Sequence, residues 1–231
     1  MDPFARVALH QIPKPGGGDR VLTVLDPAGE AAYRDAVAAA APISGYARGA
    51  ILDPMAPATL AVARGRWRAA LHRAITPGAC FVVSDVADCY PAITPAAVVA
   101  GCRAAGAPWA SIERVLAVLS RIRAAGAGGL PVGPAPSALL ADVVLGIADR
   151  AAAQAGATVV RWVDDVAIVA PGVGRARRAF DAWAAALRGL GLEPHEGKTR
   201  TLTDHVEAWA QVTGLRPSDP SWVRRGMMRA P

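Results

Sequence analysis

The segment TVVRWVDDVAIVA at residues 158–170 decides the reading of this chain. Its β-branched apolar runs predict two short strands, and Asp164-Asp165 between them predicts a hairpin with an acidic tip. A third acid stands at the end of another strand. Residues 79–85, ACFVVSD, form a short apolar run of the kind that is buried in a sheet, and they close on Asp85. If the two segments are antiparallel neighbours, three carboxylates converge at one end of the sheet. Carboxylates packed together repel, so they must share a proton or a cation. Mg²⁺ suits such a place, because it takes hard oxygen ligands and keeps phosphate oxygens for the rest of its shell. Two such ions, with Mn²⁺ as the alternative metal, clamp the attacking and leaving oxygens of an in-line phosphoryl displacement. The bland alternative is an Asp-Asp tight turn and nothing more. A wide separation of Asp85 from the tip, or a salt-bridging side chain in the gap, would end the metal reading.

Outward from these strands, residues 11–20, QIPKPGGGDR, read as a Pro/Gly turn and VLTVLDP as a strand. Helices are expected at 28–40, 60–75, about 95–105 and 110–124, from about 136, and at 174–189; residues 41–57 are expected to be irregular. Gly126, Gly128 and Gly129 break one helix, and Gly189 and Gly191 stop another. A short strand near 192–202 and a basic tail finish the chain. This order predicts an α+β fold, an antiparallel sheet with helices packed on one face.

The 231 residues allow one or two domains, and 53% hydrophobic against 19% charged residues excludes a disordered chain. Twenty-five basic and 19 acidic residues leave a net charge of +6, which fits a polyanionic partner such as nucleic acid. Cys80, Cys89 and Cys102 show no C-x-x-C spacing, so neither a disulfide framework nor a zinc site is indicated and a reducing cytoplasmic setting is expected. The first residues are too polar for a signal peptide, and no run of about 18 apolar residues suggests a membrane span. The cations are almost all arginine. Lys14 and Lys198 are the exceptions, and a position that keeps lysine against that bias suits a compact, titratable ammonium.

Five motifs in order resemble the fingers and palm of a reverse transcriptase, an RNA-directed DNA polymerase. FVVSDVADCYPAI at 81–93 is similar to the family's first palm motif, with an aromatic, Tyr90, five residues after Asp85. GLPVGPAPSALLADVVL at 129–145 resembles the LP-x-G-P-x-x-S loop and helix of bacterial members. RWVDDVAIV at 161–169 resembles the aromatic-x-Asp-Asp signature, and LGLEPHEGKTR at 190–200 the motif ending in Lys-Thr. QIPKPGGGDRVLTV resembles the fingers segment before a basic strand. The resemblance covers about residues 10–215.

It implies a right-hand polymerase organisation. Residues 1–79 would begin the fingers, 80–215 would form the palm with helices about 95–125 bridging the two, and 216–231 would be a short basic tail in place of a thumb. Asp85 and Asp164 would be metal ligands together with the backbone carbonyl of Val86, and Asp165 the third catalytic carboxylate. Lys14 and Arg20 would meet the incoming triphosphate, and the backbone amides of Asp88 and Cys89 would hold phosphate oxygens. Tyr90 would act as a steric gate against a 2′-hydroxyl. Gly133 would let the backbone approach the template–nucleotide pair, and Lys198 would protonate the leaving pyrophosphate or neutralise its charge.

The implied partners are an RNA template or structured RNA, a DNA product and deoxynucleoside triphosphates. A missing thumb implies that a protein partner, an oligomer or a bound RNA supplies the clamp. The pattern departs from the family at Trp162, where Tyr or Phe is usual, and at Val132, where retroviral relatives carry Gln. The compact form is similar to bacterial antiphage-defence or abortive-infection members, with a retron-type enzyme as the alternative. The competing reading is a non-catalytic palm-fold subunit that binds nucleic acid or a protein.

Overall fold

The computed structural model describes residues 6–14, 17–41 and 60–214 of the chain. Most of the expected irregular stretch at 41–57 and the tail at 216–231 lie outside them. The described elements run β1 (Val7–Pro13), β2 (Asp19–Leu25), α1 (Pro27–Ala40), α2 (Leu60–Ala74), β3 (Ala79–Ser84), α3 (Cys89–Ala92), α4 (Pro95–Ala104), α5 (Trp109–Ala124) and α6 (Pro136–Gln154). Then follow β4 (Thr158–Trp162), β5 (Asp165–Pro171), α7 (Val173–Gly189), a single 3₁₀ turn (Glu196–Lys198), β6 (Arg200–Leu202) and α8 (His205–Thr213).

Local chemistry sets several of these boundaries. Asp26 caps α1 by accepting from the Gly29 amide at 2.8 Å, and Thr94 caps α4 through Ala97 at 3.2 Å. A proline follows each cap, where its missing N–H costs nothing. Asp204 caps α8 by accepting from both Val206 and Glu207, each at 2.8 Å, and Gly214 ends that helix at φ +68°.

The main sheet has the order β4-β5-β3-β6, with every pair antiparallel. β3 is buried along its whole length. Successive side chains of a strand point to opposite faces, so an apolar run without alternation needs cover on both. Cys80 and Val82 enter a core built with α1, α4, α5, α6 and α7, where Val37, Ile112, Leu140, Leu145 and Trp183 are fully enclosed. Phe81 and Val83 enter a second core with Trp67 and Leu71 of α2 and Trp209 of α8. This corrects the expectation of helices on one face only: α2 and α8 cover the other. The larger core also runs across residue 79, because Tyr33 of α1 packs into it and its hydroxyl lies 3.0 Å from Ser137 Oγ on α6.

Two further elements differ from the sequence expectation. β1 pairs with β2 in a separate two-stranded sheet, from Val7↔Leu25 to Pro13↔Asp19, where a turn alone was expected at its end. α8 lies inside the expected palm, after the strand near 192–202, where no helix was expected. Among the described residues no helix is long and apolar enough to cross a membrane.

The loop from Ala125 to Ala135 threads closely between other backbones. Gly129 has φ +56°, and a Cβ there would lie 2.2 Å from the Pro91 carbonyl and 2.4 Å from that of Tyr90. The next amide, Leu130, donates to the Tyr90 carbonyl at 2.8 Å. Gly129→Ala should therefore destabilise the fold by about 2–4 kcal/mol. The shift of the urea midpoint at constant m-value measures it, and a loss below about half a kcal/mol would contradict this account.

Candidate active site

The register of β3 on β5 ends with Ser84↔Val166. One step further along the same register sets Asp85 opposite Asp165. On the other side of β5, Trp162 pairs with Asp165, so Val163 and Asp164 form a two-residue loop. Val163 has φ +56° and Asp164 does not share the positive sign, the pattern of a type II′ turn whose first central position ordinarily belongs to glycine. A β-branched residue there is strained, at a cost of about 1–3 kcal/mol. The three acids are thus gathered by strand pairing and a strained turn.

Their environment is hostile to charge. Burial first, and the neighbouring Asp85 second, push the Asp164 carboxyl up to about 6. Partial burial and Asp85 also raise Asp165, and Lys198 opposes that rise. Asp85 itself is buried, and its Oδ1 has no hydrogen-bond donor among the described residues. Its Oδ2 receives the Lys198 ammonium in a tight ion pair. That hydrogen bond is the main reason the Lys198 pKa is raised, and an ammonium so held gives up its proton less readily.

An outcome set from the sequence against the metal reading is met on one side of the gap: Lys198 salt-bridges Asp85 Oδ2, so a metal at this acid would have to use Oδ1 or displace the ammonium. Among the described residues, no three His, Cys, Asp or Glu side chains are disposed to close on a single ion. The donor set that remains is two carboxylates, Asp85 and Asp164, with one orphaned buried oxygen. That set fits Mg²⁺, which is commonly bound by one or two carboxylates and completed by water and phosphate oxygens rather than by an all-protein cage. The Lys198 ammonium, more than half exposed, supplies positive charge on the same carboxylate.

The surrounding residues are drawn in by backbone contacts. His195 donates its amide to the Asp85 carbonyl at 2.7 Å, Ala87 donates to Glu193 at 2.9 Å, and Val86 bridges Pro194. These bonds carry the Lys198 segment alongside Asp85. Ser84 Oγ lies 2.8 Å from Thr199 Oγ1, which donates to the His195 carbonyl, so Thr199 ties the segment to the end of β3. Asp88 adopts the left-handed conformation, φ +41°, at the entrance to α3, and its carboxylate pairs with Lys14 at 3.6 Å. Cys89 opens α3, buried, with its thiol pushed up by burial and by the field of Asp164. Tyr90 is half-buried; burial raises its hydroxyl above the ordinary tyrosine range, and Arg20 lies near enough to act against the shift.

Ten of the eleven expected residues therefore lie in or around one acidic centre: Asp85, Val86, Asp88, Cys89, Tyr90, Asp164, Asp165 and Lys198, with Lys14 and Arg20 at the edge. Gly133 is placed differently. It has φ +121°, and a Cβ there would lie 2.9 Å from the Thr23 carbonyl of β2, beside the bond from the Thr23 amide to the Val132 carbonyl at 2.7 Å. The need for glycine at this position is met by the hairpin packed over it.

Sequence reasoning missed the buried support of the turn. Arg161 on β4 donates to Asp149 at 2.8 Å, to Asp142 at 2.6 Å and to the Val163 carbonyl at 2.7 Å, and Trp183 donates to the other Asp149 oxygen at 3.2 Å. The signal was present: a lone arginine in an apolar strand, and two acids seven apart on an apolar helix. On the opposite face of the sheet, Trp162 packs against Trp67 at 5.4 Å and under Arg64 at 5.8 Å.

No family model and no curated protein matches the sequence. Among solved structures, a chain described as "RdRp complex" superposes with a TM-score of 0.55 at 11% sequence identity. The match takes in 85% of this chain and spans only a fifth of the other, 20%. Similarity at that identity concerns the fold alone.

The raised Asp164 has a consequence for stability. Its folded pKa, about 6, lies above the ordinary 3.8, so the folded chain holds the proton more tightly than the unfolded one. Folding stability attributable to this group falls as pH rises through the window between those values, and the penalty is complete above it. In chelator, Asp164→Asn should therefore stabilise the protein by about 1–3 kcal/mol at pH 7.5 and by much less at pH 4.5. Denaturant unfolding at the two pH values measures the difference. An equal effect at both would show that the Asp164 carboxyl is not held above its ordinary range.

Proposed function

We propose that the chain is a nucleotidyltransferase of polymerase type, specifically an RNA-directed DNA polymerase of the bacterial defence or retron kind. The observation that carries this reading is the convergence of Asp85 with Asp164-Asp165 at the paired ends of β3 and β5. The polymerase-like fold and the order of the five motifs support it. In this reading the chain has a right-hand arrangement, with the β1–β2 hairpin in the fingers and the four-stranded sheet as the palm.

Asp85 and Asp164 would hold divalent metal, with the Val86 carbonyl beside them and Asp165 tuning the charge. Bound Mg²⁺ would supply positive charge to a 3′-hydroxyl and to the phosphates of a deoxynucleotide. The chain's own contribution is alignment. Lys14 and Arg20 would bind the triphosphate, one as a point charge and one as a planar fork. The Tyr90 ring would exclude a 2′-hydroxyl. Lys198 would leave Asp85 when phosphate arrives and bring its positive charge to the departing pyrophosphate.

One observation favours a second reading. A lysine already seated on Asp85 neutralises that acid, as it would in a palm that only binds nucleic acid or a protein. The two readings part in a primer-extension assay with labelled deoxynucleotides, Mg²⁺ or Mn²⁺, and RNA or DNA templates. The polymerase reading expects incorporation that Asp164→Asn lowers by roughly 10²–10³-fold with the circular dichroism spectrum unchanged. It also expects Tyr90→Ala to erode the preference for deoxy- over ribonucleotides by about tenfold or more. Nucleic-acid binding with no incorporation under either metal would favour the binding subunit. Wild-type incorporation by Asp164→Asn would remove that residue from the site.

A further inference from the structure

Arg161 is almost wholly buried, and balancing the charge of its neighbours does not use up all of its donors. It faces two carboxylates, Asp142 and Asp149, which are equally enclosed. Burial works to lower its pKa, and the two acids outweigh that and raise it, so the guanidinium is charged. Replacing such a buried ion cluster by apolar side chains is often neutral or stabilising, so stability alone is a poor reason for it. What sets this cluster apart is its remaining bond. Nε and Nη2 are taken up by the acids of α6, and Nη1 is aimed at the carbonyl of Val163, the strained residue of the turn. That carbonyl belongs to the peptide that leads directly into Asp164.

We propose that Arg161 is the positioning residue of the acidic turn: anchored on Asp142 and Asp149, its guanidinium holds the Val163 carbonyl and so fixes the backbone angle that aims Asp164 and Asp165 at Asp85. The role follows from the shape of the group. A guanidinium presents donors in a planar fork and can serve two carboxylates and a carbonyl at once, whereas a lysine ammonium is a point charge that cannot span all three. Trp183 fixes the second oxygen of Asp149, so the anchor is itself held against α7. The consequence for metal rests on the function proposed above; the hold on the turn does not.

Arg161→Lys keeps the charge that Asp142 and Asp149 require and removes the fork. Amide hydrogen exchange should quicken at residues 163–165 by about tenfold or more, the worth of one charge-assisted hydrogen bond. Amides of β3 and α6 should change little. Adding Val163→Gly should restore protection of the turn, because glycine adopts a positive φ without being held there. Mn²⁺ affinity, read by electron paramagnetic resonance of the free ion, should fall about tenfold to a hundredfold, as when an outer partner of a metal ligand is lost. Uniform loss of protection across the sheet, or no rescue by glycine, would reduce Arg161 to a core ion pair and overturn the proposal. If Arg161→Lys does not fold, the through-bond coupling between Arg161 Nη1 and the Val163 carbonyl carbon in the wild type decides, and its absence overturns the proposal. A wild type that binds no Mn²⁺ sinks the metal reading, while exchange and rescue still judge the hold on the turn.

Discussion

Like charges held together by strand register are the constraint on which the rest of this molecule turns. Pairing of β3 with β5 fixes Asp85 opposite Asp165, and the chain has no freedom to relieve the repulsion without breaking a fully buried ladder. The two cores on either face of the sheet lock that register, since a slip of one residue would exchange the side chains of both. Burial and then crowding set the electrostatics: a carboxyl at Asp164 that resists ionisation, and a lysine drawn onto Asp85. Stability given up at the site is recovered in the apolar layers around it, the usual arrangement for a preorganised polar centre.

The elements around the acids share a further property: they are secured largely by backbone contacts. The Lys198 segment is held by main-chain bonds between 193–195 and 85–87. The start of α3 is held through the Tyr90 carbonyl by Leu130, across the glycine at 129. Neither tether uses the side chain of Lys198, Asp88 or Tyr90. Substitutions at those side chains thus bear on chemistry more than on folding, whereas the glycines beneath them bear on folding first.

The strands that carry the acids were legible because their short apolar runs were β-branched and ended in carboxylates, and α1 and α4 because Asp26-Pro27 and Thr94-Pro95 mark their starts. β1 was not legible, since VALHQIP is mostly exposed and shows no alternation between an inner and an outer face. α8 carried its own signals, Asp204 with Glu207 three residues on and Gly214 at the end, yet no helix was expected between the strand near 192–202 and the tail. Cover on the second sheet face was implied by β3, whose six buried residues leave no side for water. The pairing of Lys198 with Asp85 was beyond the sequence, because it depends on main-chain bonds between segments more than a hundred residues apart. Arg161 shows the same limit: a charge inside an apolar strand announces a buried partner without saying which carbonyl it also reaches.

The bond from Thr23 to the Val132 carbonyl makes the β1–β2 hairpin a lever with its pivot over the loop. Arg20 lies three residues along β2 from that pivot, roughly 10 Å at the rise of a strand. A tilt of about ten degrees would sweep Arg20 through roughly 2 Å, the difference between touching an anion and standing a water molecule away from it. The tie through Thr23 and the close approach at Gly133 thus decide where the cationic rim stands relative to an anion.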